Sequence, residues 1–284
     1  MIEVGQNSYG KSAVRLVKVD RHVSPHRVRD LTISIALAGD FAASYAEGDN
    51  SAVIATDTMK NTCYALAGEH LTGSIEAYAV VLGRHFLDAG GEVATATVSI
   101  QEHAWRPIGS APDAFSRDAS ETRTTVVAVG RSATTVRTGI RDLAVMKTTR
   151  SAFSGFPRDR FTTLAETEDR IMATKVTASW AYADPAGVDF DRSFDAIRAT
   201  FLETFADHHS VSVQASIWIV GKAVLEAHPE VAEIAMSLPN LHHWTVDLAP
   251  FGIENDREVY VSTTEPHGLI EATIRRSAPG PATS

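Results

Sequence analysis

The apolar residues of this chain switch period twice in the same order, and that repeat most limits the folds open to it. Residues 12–20 (SAVRLVKVD) and 29–38 (RDLTISIALA) alternate apolar and polar side chains. That is the period of a strand with one buried face, and the short loop between them lets them pair as a hairpin. Residues 72–88 then place Ile75, Ala79, Leu82 and Phe86 on one helical face, stopped by Gly90-Gly91. Residues 93–105 and 123–130 return to strands. After a loop rich in Ser, Thr and Arg, the order resumes with a strand over 174–183 and an amphipathic helix over 190–208 carrying Phe194, Ile197, Phe201 and Phe205. A strand-to-helix run over 210–228 follows, and strands in LHHWTVDLAP and REVYVSTT close the set.

Each half contains an apolar run that becomes a helix through polar residues, VIATDT (53–58) in the first and VSVQAS (211–216) in the second. The two junctions read as equivalent points of a duplicated α+β unit built on antiparallel strands. The first has a surplus. ATDTMKNT (55–62) offers Thr56, Asp57 and Thr58 where one side chain suffices to cap a helix. The free N–H groups of a helix start also favour an anion.

Composition narrows the partners. Hydrophobic residues at 44% and charged residues at 21% are values for a soluble globular protein. A net charge of −9 argues against a phosphate-backbone binder, so no nucleic-acid partner is expected. The single cysteine, Cys63, forms no internal disulfide and reads as a small buried helix residue, which fits a reducing compartment. No stretch reads as a signal peptide or a membrane span. The SAPGPATS ending is not a peroxisomal signal, so a cytoplasmic protein with a flexible tail over 276–284 is expected.

Common cofactor motifs are missing. There is no GxGxxG, GxxxxGK[ST] or GxSxG, and no HExxH or CxxC. His22 and His26 are separated by Pro25, and His208-His209 and His242-His243 are adjacent pairs that do not chelate one ion from regular structure, so no metal is expected. What remains is polar residues at element ends. Lys11 is a solvated strand-edge lysine or a desolvated base. Arg170 is a surface charge or a planar fork for a carboxylate or imide-like edge. Gln214 ends an apolar run and needs partners if buried. Phe153 is core or a stacking platform, and Asn240 and His242 are turn residues before a strand or site groups. Taken singly, each is better explained by structure alone.

Together they form a pattern. YGKSAVR (9–15), NSAVIATDTMKNT (50–62), SAFSGFPRDRFTTLAETEDRI (151–171), SVSVQAS (210–216) and SLPNLHHW (237–244) fall in the order of the urate oxidase (uricase) motifs, up to HGLIEATI near residue 271. The chain resembles that family over most of its length. The resemblance implies two tandem antiparallel ββααββ units (the T-fold) over 1–142 and 143–275, assembled as a homotetramer around a tunnel. It implies a catalytic Lys11, Thr56 and His242, and a substrate site of Thr56, Asp57, Phe153, Arg170, Val213, Gln214, Asn240 and His242. Lys11 and Thr56-Asp57 come from one subunit and face the Phe, Arg and Gln of another.

The reaction implied is oxidation of urate by O2 and water, without cofactor, to 5-hydroxyisourate and H2O2. In this reading Thr56 passes protons to Lys11, Asp57 and its backbone meet the substrate, and Thr58 is left as the plain cap. Two alternatives stand beside it: another purine- or pterin-handling enzyme of the same fold, and a non-catalytic purine-binding oligomer.

Overall fold

In a computed structural model of the chain, residues 2–118 and 120–277 are described. The expected hairpin forms from β1 (Ser8–Asp20) and β2 (Arg27–Gly39), paired antiparallel with Val14 opposite Ile33 and Leu16 opposite Leu31. A short helix α1 (Ala42–Ala46) leads to α2 (Thr56–His70) and α3 (Ile75–Ala89). Then come β3 (Val93–Glu102), a small hairpin of β4 (Trp105–Pro107) and β5 (Phe115–Arg117), and β6 (Thr122–Gly130). The second run is β7 (Thr134–Lys147), β8 (Met172–Tyr182), α4 (Phe190–Asp207), α5 (Val213–Ala227), β9 (Val231–Thr245) and β10 (Tyr260–Arg275). The protein is thus a mixed α+β fold dominated by antiparallel sheet.

Contacts divide the chain into two units, one running to Gly139 with Ala181–Phe194, the other Ile140–Trp180 with the chain from Asp195 onward. In the first unit the strands bond in the order β1-β2-β3-β6-β7. The alternation in β2 sends Leu31, Ile33, Ile35 and Leu37 into the core, where they are at most 2% exposed, and Ile75, Tyr78, Ala79, Leu82 and Phe86 of α3 are 0% exposed. Each such large side chain contributes roughly 1.5–3 kcal/mol by leaving water. In the second unit the later residues of β7 are followed by β8, β9 and β10, with Trp180, Ile217, Val220, Val224 and Ile234 buried.

The two units share several contacts residue for residue. Lys18 of β1 donates to the carbonyls of Ala67, Gly68 and Leu71 at 2.9–3.0 Å, where α2 ends. Lys147 of β7 does the same at the end of α4, donating to Phe205 at 3.0 Å, Ala206 at 3.1 Å and His208. Carbonyls at a helix C-terminus carry partial negative charge and lack partners, which a lysine ammonium supplies. Ser74 caps α3 by accepting from Ala77 N–H, and Ser212 caps α5 by accepting from Ala215 N–H. The ninth residue of each helix is glycine, because a Cβ on Gly83 would meet Val129 at 2.5 Å and one on Gly221 would meet Ile274 at 2.5 Å.

This correspondence corrects several expectations. VSVQAS opens α5, the second helix of its unit, so its counterpart is GSIEAY (73–78) at the start of α3, not VIATDT, which opens α2. Residues 53–55 are irregular rather than a strand, and the residues of VSVQAS from Val213 onward are already helical. Ser210 contributes only a bridge to Ser151. The strand over 93–105 stops at Glu102, and Trp105 opens β4. The Ser/Thr/Arg-rich stretch conceals β7. The helix over 72–88 begins after its Ser74 cap and ends at Gly90, whose φ of −113° is not left-handed. Asn240 and His242 lie inside β9 rather than in a turn before a strand. Of the tail expected over 276–284, residues 278–284 lie outside the described residues. Arg276 is held by donating to the carbonyls of Val231 at 3.0 Å, Leu225, and His228 at 3.2 Å.

Candidate active site

In the second unit three chain segments converge around Arg170. Its backbone N–H donates to Ser151 O at 2.7 Å, and Ala152 N–H donates to Ser210 O at 2.7 Å. Phe153 and Thr167 exchange N–H···O bonds of 2.7 and 3.1 Å. Phe153 is therefore pinned on both sides. Its ring stacks on Phe156 at 4.9 Å with an interplanar angle of 13°, so the Ser154-Gly155 spacer folds back and braces it. The Arg170 guanidinium carbon sits 5.3 Å from the centre of the Phe153 ring. Arg170 is half-buried, its Nε has no hydrogen-bond partner, and no carboxylate pairs with it among the described residues. Burial pulls its pKa below the ordinary arginine value.

His242 of β9 stacks on Trp244 at 5.2 Å. Burial first, then the charges of Arg170 and His267, hold its pKa below the usual imidazole value. The imidazole is thus neutral at physiological pH and close enough to Arg170 to sense it. Asn240, on the same strand, pairs with Gly268 of β10 where four residues of β10, 264–267, bulge against the single Leu241. Val213 is buried as the first residue of α5, and Gln214 beside it is exposed. Beneath that helix start runs a relay of hydrogen bonds. Ser216 Oγ lies 2.8 Å from both Ser210 Oγ and His208 Nε2, and His208 Nδ1 is 2.8 Å from Thr204 O. This support for Phe153 and Gln214 went unread in the sequence, where His208 counted only as a weak metal candidate.

In the first unit Lys11 lies at a bulge of β1, where pairing with β2 shifts between Lys11 and Val14 and Ala13 takes a φ of +57°. The residue preceding α2 is Ala55, and no side chain caps the helix. Thr58 is therefore not the expected cap. Thr56, Asp57 and Thr58 are exposed. The Asp57 carboxylate accepts from Lys60 at 2.5 Å and Asn61 at 3.0 Å. The Lys60 hydrogen bond and charge lower the Asp57 pKa most, and Lys11 adds to the effect, so Lys11 and Asp57 share one neighbourhood. With the carboxylate turned to its own helix, the N–H groups of the first turn remain open for an acceptor.

Cys63 is buried in α2, and burial pushes its thiol up to about 11, an inert side chain. Among the described residues no three His, Cys, Asp or Glu side chains are grouped to hold a metal ion, and no helix is long and apolar enough to cross a membrane.

A family model described as Uricase matches residues 7–128 and 136–271, which include every stretch carrying these groups. The chain belongs to the uricase family. The uricase of Arthrobacter globiformis is 46% identical over 275 residues, covering 97% of this chain and 90% of that protein. The uricase of Dictyostelium discoideum is 39% identical over 278 residues, covering 95% and 96%. The crystal structure of the Arthrobacter globiformis uricase aligns with a TM-score of 0.95 at 45% identity, over 98% of this chain and 96% of that one. A uricase match running through both halves does not favour a pterin-handling enzyme or a scaffold.

Proposed function

We infer that this uricase-family chain is a urate oxidase, an oxidoreductase that uses O2 as acceptor. The observation that carries the reading is the half-buried Arg170 guanidinium, which no carboxylate pairs with among the described residues and whose carbon lies 5.3 Å from the centre of the Phe153 ring. Urate is a planar anion near neutral pH. Phe153 stacks on its face while Arg170 and Gln214 grip its pyrimidine edge, each charge-assisted bond contributing roughly 1.5–3 kcal/mol. Val213 supports Gln214 with its backbone.

The overall change takes urate, O2 and water to 5-hydroxyisourate and H2O2. Fully deprotonated urate supplies both electrons to O2, and so no cofactor is invoked. Lys11 acts as base, Thr56 bridges protons to it, and neutral His242 receives and returns them. Asn240 holds O2, and then the attacking water, above the ring. The open first turn of α2 at Thr56-Asp57 meets the substrate.

In this reading the two units are tandem T-folds. Each site joins the Lys11–Thr56–Asp57 group of one subunit to the Phe153–Arg170–Gln214 group of another in a homotetramer. Exposed Val17 on β1 and Leu269 on β10 support such an assembly, since these strands end the pairing orders of their units. The test is loss of the ultraviolet band of urate under air, with peroxide formed, in protein purified with a chelator and without added flavin. Wild-type protein that leaves urate unchanged rules the reading out.

A further inference from the structure

The first unit contains a closed counterpart of the Gln214 site, and the two differ at Gly268, a residue that the motifs leave without a role. With α3 and α5 aligned by their serine caps, Glu76 corresponds to Gln214. Val129 and Ile274 crowd the matching glycines Gly83 and Gly221, which aligns β6 with β10. The same six-residue step back along each strand reaches Arg123 in β6 and Gly268 in β10. Pairing across the strands agrees, since Arg123 lies opposite Glu102 and Gly268 opposite Asn240.

In the first unit this place is full. The Arg123 guanidinium donates to Glu76 Oε2 at 2.8 Å and Asp191 Oδ1 at 2.7 Å, and it lies 4.4 Å from the centre of the Phe194 ring. Glu76 is 0% exposed. A flat hydrogen-bonding group thus sits between an aromatic face and the acceptor at the second residue of a helix.

In the second unit the same place holds no side chain from β10. A Cβ on Gly268 would meet nothing closer than Ile270 Cδ1 at 3.7 Å, and Gly268 does not adopt a left-handed φ. Glycine within a strand costs stability, and here neither conformation nor packing in the chain requires it. The second change is complementary. Glu76 faces a cation and is a carboxylate, whereas Gln214 presents both a donor and an acceptor, as the amide-like edge of urate needs.

We propose that Gly268 is a specificity-determining residue, whose missing side chain leaves the room beside Gln214 and Asn240 for the edge of urate that Arg123 fills in the first unit. The inference rests on the reading of Gln214 and Asn240 as urate contacts. Gly268→Ala and Gly268→Val test it through thermal midpoint, KM and kcat for urate.

The expected result is an unchanged midpoint for Gly268→Ala, with KM raised severalfold for Ala and by roughly 10- to 200-fold for Val, the range for one methylene too many in a close-fitting pocket. A folded Gly268→Val enzyme with wild-type KM overturns the proposal. Failure of both variants to fold also overturns it, because the fold would then need that space itself. Wild-type protein inert towards urate fails the underlying reading instead, and is recognised before any variant is made.

Discussion

The guanidinium carbon of Arg170 lies 5.3 Å from the centre of the Phe153 ring, on a backbone whose Arg170 N–H donates to Ser151 O at 2.7 Å. A half-buried cation with no carboxylate beside it among the described residues is a cost to the folded chain that a bound anion would offset. Arg170→Gln is therefore expected to weaken urate binding by about 1.5–3 kcal/mol, some ten- to hundredfold, while the thermal midpoint stays level or rises. Equilibrium dialysis of urate without oxygen, beside a melting curve, measures both. A variant that binds like the wild type assigns the arginine no ligand.

The surplus at the start of α2 divides differently from a capping scheme. Since Ala55 precedes the helix and no hydroxyl caps it, Thr56→Val and Thr58→Val should each leave stability within about 0.5 kcal/mol of wild type. Only Thr56→Val, together with Lys11→Ala, is expected to slow urate turnover, by roughly 100-fold or more for a lost proton-transfer group. Equal kcat in the two valine variants would remove Thr56 from the relay.

The visibility of this fold in the sequence tracks how regular each element is. The phase of α3 could be read because Ile75, Ala79, Leu82 and Phe86 all reach the core. β7 could not, because Asp142, at φ +63°, flips the alternation between buried Val136, Thr138 and Ile140 and buried Leu143. The candidate site residues stood out only as distant motifs in register, since locally Gln214 resembles the end of a strand and Asn240 a turn. The mismatch of the two junctions has the same origin. Polar residues punctuate every helix start, so capping chemistry marks a boundary without saying which helix it opens. Glu76 escaped notice because a first-turn glutamate ordinarily just complements the helix dipole.

Glu76 is instead a buried partner. Burial raises its pKa, and Arg123 and the Thr138 hydroxyl at 2.8 Å oppose that shift. Glu76→Ala removes one of the two carboxylates that the enclosed Arg123 donates to and leaves Asp191, and is expected to cost roughly 1–3 kcal/mol in denaturant unfolding. The pair Glu76→Leu with Arg123→Met should recover much of that loss, because it removes both charges at similar volume. A double variant as weak as Glu76→Ala would show that shape rather than charge governs the site.

Acid should weaken the fold through its histidines. Burial disfavours the charged ring and is the chief reason that His103, His208 and His242 titrate below the ordinary imidazole range in the folded chain. Positive neighbours add to this: Arg117 and Arg15 at His103, Lys147, Arg150 and His209 at His208, and Arg170 and His267 at His242. Asp30 and Glu102 at His103, and the Thr204 carbonyl at His208, oppose it without reversing it. The unfolded chain then binds more protons than the folded one once pH drops through the ordinary imidazole range, so stability falls on acidification below about pH 6.5 and is flat just above it. At His208 the Thr204 carbonyl can only accept, so Nδ1 carries the proton and Nε2 accepts from Ser216; a second proton would break that bond. Thermal midpoints taken from about pH 7.5 down to about pH 5.5 should decline, and His208→Gln should make the decline shallower. A slope in that variant equal to wild type would leave the acid sensitivity to the other two rings.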